Sequence, residues 1–204
     1  MITFAAIVPH PPLLLPDISS VNDRKKVEKT LKALEILGAE FKKIRPDSII
    51  ISSPHPDWGI NVPLHFLAKD FNGQIQTILT GLEPPQYYFE EGKKFYKLKI
   101  ENYKLRTGLI ASGDLSHCLK EEGPYGFHPH GPRFDKTLIE YLTKKDIENI
   151  LKLNEKFPEA GECGLRSFCF LLGILEASKV NWEAKILSYE GPFGVGYLVA
   201  QLYG

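Results

Sequence analysis

Apolar residues along the first fifty positions form two short continuous runs with a helically spaced run between them. Ile2–Val8 and 48–52 are rich in β-branched residues and are each soon followed by proline, which predicts two buried strands. Over residues 27–44 apolar side chains recur at steps of three and four, which predicts an amphipathic helix capped at Asn22 or Asp23. The order strand, helix, strand predicts a βαβ unit with parallel strands and a right-handed crossover.

The rest of the chain continues this alternation. Further strands are predicted at Gln74–Leu79, 105–111, 184–189 and 196–202. Further helices are predicted at 87–98, 133–142, 145–151 and Leu165–Ser178. The segment 120–132 is rich in Gly, Pro and His, which favours a loop over a functional site rather than a domain boundary. We therefore expect residues 1–204 to form a single α/β domain, with a mostly parallel central sheet and helices on both faces.

Composition narrows the class of protein. Hydrophobic residues make up 43% and charged residues 25% of the chain, as in ordinary globular proteins. The 25 basic and 25 acidic side chains cancel, so no net charge draws the chain to nucleic acid or to an anionic membrane. Three irregularly spaced cysteines without a CxxC pair predict neither a disulfide framework nor a zinc knuckle. Without a recognisable signal peptide or an apolar span of about 18 residues, we expect a cytoplasmic protein.

Two histidines follow the first two predicted strands in the same local pattern, PHP. His10 comes after the first strand and His55 after the second. Because parallel strands bring their C-terminal ends to one edge of a sheet, where ligands bind in such folds, both imidazoles are candidate metal ligands. The flanking prolines stiffen both turns. The alternative is that PHP only ends each strand, and His65 is interpreted in that plain way, as an ordinary partly buried histidine.

A third ligand would come from the segment before the late apolar helix. Glu162 and Cys163 stand side by side there, and spacing alone does not choose between them. Two histidines and a carboxylate form the facial triad of non-haem Fe(II) oxygenases, with positions left open for substrate and dioxygen. A thiolate would instead indicate zinc or a site with altered redox behaviour. Glu162 could also simply cap the helix, where the helix dipole favours a negative charge.

The motif SGDLSH follows the predicted strand at 105–111 and places His117 at the same edge of the sheet. An imidazole with a pKa near its usual value of about 6.5 can take up and return a proton near neutral pH, so His117 is a candidate acid/base group. Asp114 or Ser116 could orient it, although Asp114 could equally cap a turn.

Six motifs spread over the whole chain resemble the class III extradiol dioxygenases, the family of the ring-cleaving subunit of protocatechuate 4,5-dioxygenase. They are VPHPPLLLPDI, SSPHPDWG, SGDLSHCL, GFHPHGPRFD, ECGLRSFCFLLGILEA and YEGPFGVGYLVA. The closest likeness is to a compact microbial branch related to Memo proteins and to the system that joins an AMMECR1-type protein with a radical-SAM protein. The resemblance implies a metal site beyond the C-terminal strand ends.

Carried over residue by residue, the resemblance implies Fe(II) bound by His10, His55 and Glu162, with His117 as the acid/base. Memo-type proteins carry a cysteine in the late motif, and Cys163 matches it. Zn(II) is a second candidate metal for the purified protein.

Four residues are predicted to contact substrate: Ser116, Tyr125, His128 and His130. For the last three, which belong to the loop at 120–132, a solvated turn is the alternative. The expected partners are a small aromatic substrate and O2, an AMMECR1-type protein, and a second copy of the chain in a homodimer. Two rival functions stay open: a Memo-like regulatory metal-binding module without ring cleavage, and a zinc hydrolase.

Overall fold

A computed structural model describes residues 1–101 and 104–204 as one sheet flanked by helices. The strands are β1 Ile2–Val8, β2 Ser48–Ser53, β3 Gln74–Leu79, β4 Thr107–Ser112, β5 Lys185–Glu190 and β6 Tyr197–Tyr203. The helices are α1 Val21–Lys26, α2 Glu28–Ile44, α3 Trp58–Leu67, α4 Pro85–Lys99, α5 His130–Lys144, α6 Ile147–Ile150, α7 Leu153–Lys156 and α8 Leu165–Ser178. A single 3-10 turn covers Pro12–Leu14. Within these described ranges, no helix is both long enough and apolar enough to cross a membrane.

The six strands lie in the order β3-β2-β4-β1-β6-β5. The first four are parallel to one another. β6 pairs antiparallel with β1, and β5 pairs antiparallel with β6. This confirms the mostly parallel sheet with helices around it. The first βαβ unit is parallel as predicted, but β4 lies between its two strands. All six residues of β4 are buried, as expected for a central strand covered on both faces. The C-terminal ends of β1, β4 and β2 are therefore neighbours.

Two apolar cores lie on opposite faces of the sheet, and from Phe4 onward the residues of β1 contribute to them alternately. Phe4, Ala6 and Val8 pack in the core that holds α2 and α3. Ala5 and Ile7 pack in the core that holds α8, α5 and α4. Successive side chains of a strand point to opposite faces, so a strand covered on both faces must be apolar throughout. This explains why β1 appears in the sequence as an unbroken apolar run.

Helices α4 and α8 approach each other closely through two reciprocal glycines. A Cβ atom at Gly92 would collide with the carbonyl oxygen of Phe170, and one at Gly173 would collide with the carbonyl oxygen of Phe89. Because neither glycine has a side chain, the two backbones can come into contact. The two helices therefore lie closer together than a residue with a Cβ atom at either position would permit.

The structure differs from the sequence prediction mainly at α3, which was not predicted. This helix is apolar around much of its circumference and contains Pro63, so neither periodicity nor propensity indicates it. The predicted first helix is divided at Val27 into α1 and α2, and its cap is Ser20, whose side chain accepts a hydrogen bond from the backbone N–H of Asp23. The helix predicted at 145–151 is reduced to the single turn of Ile147–Ile150.

Candidate metal centre

Five polar side chains converge beyond the C-terminal ends of the central strands. His10 follows β1, His55 follows β2, Asp114 and His117 follow β4, and Cys163 precedes α8. The donor atoms of His10, His55 and Cys163 all lie within 4.8 Å of one another, and those of Asp114, His117 and Cys163 form a second such group. Cys163 belongs to both groups, and its Sγ lies 3.5 Å from Nε2 of His10. The parallel sheet thus brings together both PHP histidines and His117, as the sequence predicts.

The imidazole of His10 is held in one tautomer. Its Nδ1 lies 2.9 Å from Oγ of Ser112, and the hydroxyl of Ser112 itself donates to the backbone carbonyl of Gly59. Since the Ser112 proton is already used, its oxygen accepts, and Nδ1 of His10 must carry the hydrogen. The lone pair of Nε2 is then directed at Cys163. A fixed tautomer with one free nitrogen is how histidine ligands are prepared for a metal.

The carbonyl of Gly59 is free to accept the hydroxyl of Ser112 because of Pro63. In a regular helix the carbonyl of Gly59 would accept from the backbone N–H four residues later, and proline has none. The helical position of Pro63 therefore leaves the Gly59 carbonyl open to the hydroxyl of Ser112. In this way an unusual residue inside α3 contributes to the orientation of His10.

Asp114 fixes the backbone of two segments at once. Its Oδ1 accepts from the backbone N–H of His10 at 3.0 Å, and its carbonyl accepts from the backbone N–H of Gly164 at 3.0 Å. A Cβ atom at Gly113 would collide with Gly164, so only glycine allows these chains to lie this close. Burial raises the pKa of Asp114 to about 7, against the lowering effect of the His10 N–H. Asp114 was predicted as a partner of His117, but the hydrogen bond of its carboxylate is to His10.

Burial favours the uncharged form of all three histidines. Burial, followed by the like charges of His55 and His117, lowers the pKa of His10 to about 3. Burial is also the largest cause of the lowered pKa values of His55 and His117. Burial and the charge of Asp114 raise the pKa of the Cys163 thiol well above its ordinary value. A cation is thus the partner that suits this donor set, because it would displace the thiol proton and bind imidazoles that are already neutral.

His117 presents one free nitrogen to the same space. Its Nδ1 contacts the carbonyl oxygen of Gly161, which can only accept, so Nδ1 carries the hydrogen and Nε2 is free. Gly161 has a φ of 64°, in the left-handed region that glycine adopts without strain. The arrangement suits a group that accepts a proton at Nε2 and later returns it. The exposed ring of Tyr125 lies 5.4 Å from the His117 ring, measured between centroids.

The loop that carries His117 is anchored from below by Ser116 and Asp135. The backbone N–H of Ser116 donates to Oδ1 of Asp135 at 2.8 Å, and the Ser116 hydroxyl donates to the carbonyl of Ala160 at 2.7 Å. Tyr189 donates its hydroxyl to the other carboxylate oxygen at 2.7 Å. Burial raises the pKa of Asp135 to about 7. Ser116, a predicted substrate contact, is fully buried, and its hydroxyl is engaged in holding this loop.

Glu162 points away from the two donor groups. Its Oε2 accepts from the backbone N–H of Leu165 at 2.7 Å, and its Oε1 accepts from the Arg166 guanidinium at 3.2 Å. These contacts tie Glu162 to the first turn of α8, where the helix dipole favours a carboxylate, while the N-cap position itself is Gly164. The third donor that the structure places beside His10 and His55 is Cys163, the alternative from the same motif.

The two remaining entrance candidates contact each other rather than the metal-capable groups. Nδ1 of His128 accepts from the backbone N–H of His130 at 3.2 Å, and the two rings lie 4.7 Å apart between centroids. Nδ1 of His130 lies 3.4 Å from the backbone N–H of Glu159. Both side chains are half-buried, so they brace the loop at 120–132.

Sequence reasoning did not identify two residues beside the site. Ser112, the last residue of β4, orients His10, and its only signal is a buried polar residue at a strand end. Trp58 places its ring 4.9 Å from that of His55, between centroids, and is exposed. A tryptophan three residues after the histidine of a PHP turn is the signal that could have identified it.

Residues 55–200 match the family described as LigB, the catalytic LigB subunit of aromatic ring-opening dioxygenase. The match covers well over half of the chain, and the chain belongs to this family. Enzymes of this family are typically extradiol dioxygenases and generally use a metal, which agrees with the donor groups found here. His10 lies before the matched range, so its place in the site rests on the geometry alone.

Two similar proteins were found by sequence and by structure. Protein CA_C1420 of Clostridium acetobutylicum is 30% identical over 96% of this chain. The chain spans 56% of the length of that relative. The crystal structure of the uncharacterized protein JW3007 from Escherichia coli K12 superposes with a TM-score of 0.62, covering 99% of this chain and 100% of that chain. At 16% identity, this second likeness supports the fold alone.

Proposed function

We propose that the protein is an Fe(II)-dependent extradiol-type dioxygenase that acts on a catechol-like aromatic substrate with O2. The observation that carries the proposal is the group formed by buried His10 with half-buried His55 and Cys163, next to the free Nε2 of His117, in a chain of the ring-opening dioxygenase family. Two imidazoles and one thiolate would hold a cation through three donors, as in three-donor sites that leave positions open for substrate. Those positions are where a substrate with two neighbouring oxygens would bind.

The metal would supply Lewis acidity and electron transfer, and the chain's own groups would supply orientation and proton transfer. Nε2 of His117 accepts the proton of a substrate hydroxyl and later returns it to oxygen. The hydrogen bond from Nδ1 to Gly161 holds the ring in the tautomer that this step needs. Tyr125 and Trp58 offer two exposed aromatic faces at the opening, beside His117 and His55, and such faces suit a flat aromatic ring.

Oxygen consumption tests this function directly. Protein purified without oxygen and loaded with Fe(II) should consume O2 in proportion to substrate when offered a panel of catechols. His65→Ala is the matched control, because His65 lies on α3 outside both donor groups, and it should behave as the wild type. A fully iron-loaded wild type that consumes no O2 with any catechol would contradict the proposal.

A second function is favoured by one observation, the thiol at the position where a carboxylate was expected. A thiolate donor suits Zn(II) as well as iron, so a Memo-like metal-binding module without ring cleavage is the alternative proposal, with a zinc hydrolase beside it. An AMMECR1-type partner belongs to this alternative. Retention of zinc rather than iron after anaerobic purification, together with the absence of O2 consumption, is the result that would favour it.

The third ligand can be tested by comparing Cys163→Ala with Glu162→Ala. Cys163→Ala should lower iron affinity by more than about 100-fold, since losing even an outer-shell partner of a metal typically costs ~10–100-fold. Glu162→Ala should keep the metal and instead lower stability by about 1 kcal/mol, the usual loss for a helix cap. Anaerobic competition with a coloured chelator measures the affinities. The opposite order would restore Glu162 as the ligand.

A further inference from the structure

Strand β3 forms one edge of the sheet and is unusually exposed. In the ranges that the structure describes, 1–101 and 104–204, no strand pairs with its outer side. Every residue from Gln74 to Leu79 is exposed except Ile78, which is half-buried. Ile75 is 41% exposed and Leu79 is 55% exposed. A strand that is open along its edge and exposes apolar side chains is a template for pairing with another chain.

The opposite edge of the same sheet carries the protection that β3 lacks. β5 begins at Lys185 and ends at Glu190, and its pairing with β6 is irregular between Ile186 and Ser188. Charged ends and an irregular register are the usual means of preventing edge pairing. β3 pairs with β2 in unbroken register, and residues 71–82 contain no charged side chain and no proline. Of the two edge strands, β3 is therefore the one suited to pairing with another strand.

The backbone direction of β3 follows from one hydrogen bond at its end. The N–H of Thr80 donates to the carbonyl of Ser53, the last residue of β2, at 2.9 Å. Backbone groups of successive residues in a strand point to opposite sides, so even-numbered residues of β3 face β2. The N–H and C=O groups of Ile75, Thr77 and Leu79 therefore point away from the sheet. Their side chains also share one face, since residues two apart do so.

We propose that two copies of this chain form a homodimer by antiparallel pairing of their β3 strands about a twofold axis at Thr77. In this register Thr77 faces its own copy, and Ile75 of each chain faces Leu79 of the other. All three positions have outward-facing backbone groups, so each is a hydrogen-bonded pair that exchanges two bonds. The two exposed apolar side chains are equally distant from the axis and meet across it, as an isologous contact requires.

The dimer is expected to be weak and reversible. A single strand pair buries less surface than the roughly 1,200–2,000 Å² of a standard interface, so we expect an association that changes with concentration in the micromolar range. Leu82, which is 95% exposed and lies three residues beyond β3, extends the apolar edge. Asp70 and Glu83, the first charged residues on either side, lie outside the three paired positions, so no like charges meet at the axis.

Sedimentation velocity and light scattering over the micromolar range test the dimer. The wild type should shift with concentration toward twice the 23.0 kDa of one chain. Thr77→Lys should be monomeric, with the dissociation constant raised at least about tenfold, because it places two ammonium groups at the axis. Ile36→Lys is the matched control, since Ile36 is 55% exposed on α2, away from β3, and it should dimerise normally. Circular dichroism checks that each variant is folded.

The register has its own test. Ile75→Lys and Leu79→Glu should each weaken the dimer, and the double variant should restore it because the new ammonium group of one chain then faces the new carboxylate of the other. A wild type that stays monomeric throughout the range would overturn the proposal. So would a Thr77→Lys variant that dimerises as the wild type does, or a double variant weaker than both single ones. None of these measurements involves metal or turnover, so their outcome is independent of the proposed function.

Discussion

His10→Ala is expected to abolish stoichiometric iron binding while the protein remains folded. The variant removes the Nε2 that Ser112 holds in the ligand tautomer, and it leaves the backbone N–H that donates to Asp114. The lost packing should lower the free energy of unfolding by about 1–3 kcal/mol, the usual range for a single substitution at a buried site. Metal analysis after anaerobic loading gives the stoichiometry, and thermal melting gives the stability.

His55 offers a second test of the same site. Its side chain is half-buried and lies in the turn after β2, so His55→Ala should lose the metal with a smaller loss of stability than His10→Ala. His65→Ala should retain one metal per chain and shows whether removing any histidine has an effect. A stoichiometry close to one metal per chain in both His10→Ala and His55→Ala would contradict the assignment of this metal site.

His117→Ala should retain the iron and still lose turnover by roughly 10²–10⁴-fold, the usual contribution of a positioned proton-transfer group. The donor group of His10, His55 and Cys163 does not include His117, so the substitution should leave metal affinity unchanged. A catechol should still bind to the metal in this variant, which a shift in the absorption spectrum of the iron or cobalt form would reveal. Turnover is measured per iron-loaded site.

A matched variant separates proton transfer from bracing. His117→Gln can still donate a hydrogen bond to the Gly161 carbonyl, but its amide cannot accept and return a proton. If His117 acts as the acid/base, His117→Gln should be as slow as His117→Ala. If the ring only braces the loop, His117→Gln should recover most of the rate, and that recovery would remove His117 from the chemistry.

The strands of this fold could be predicted from sequence because each is a short run that contains β-branched, aromatic or other apolar residues between turn signals, and all six lie within a few residues of the predicted positions. Helix α3 could not, because Pro63 and its largely apolar surface contradict every local helix signal. The strand order was also beyond local patterns. β4 lies between β1 and β2 through contacts that are distant in sequence, and only the complete burial of β4 reflects this.

The histidines of the site were predictable because strand ends meet at one edge of a parallel sheet. The choice between Glu162 and Cys163 was not, because one residue of shift at the start of α8 turns a side chain from the helix N–H groups toward the histidines. The role of Ser112 was also hidden. It depends on a carbonyl that Pro63, far away in sequence, leaves unpaired. Hydrogen-bond chains of this kind join residues that are distant in sequence, so they produce no periodic pattern from which they could be predicted.

The paired glycines of α4 and α8 affect the position of Cys163, although neither glycine belongs to the site. Cys163 lies two residues before α8, and Gly173 lies about 12 Å along the helix from Leu165, its first residue, at the 1.5 Å rise of a helix. A methyl group at Gly92 or Gly173 would push α8 outward as a rigid rod and carry the thiol with it. Two homologues with identical donors could therefore differ in the width of the metal pocket. The distance between α4 and α8 therefore sets where Cys163 lies, and substitutions at Gly92 or Gly173 can change that position without changing any donor residue.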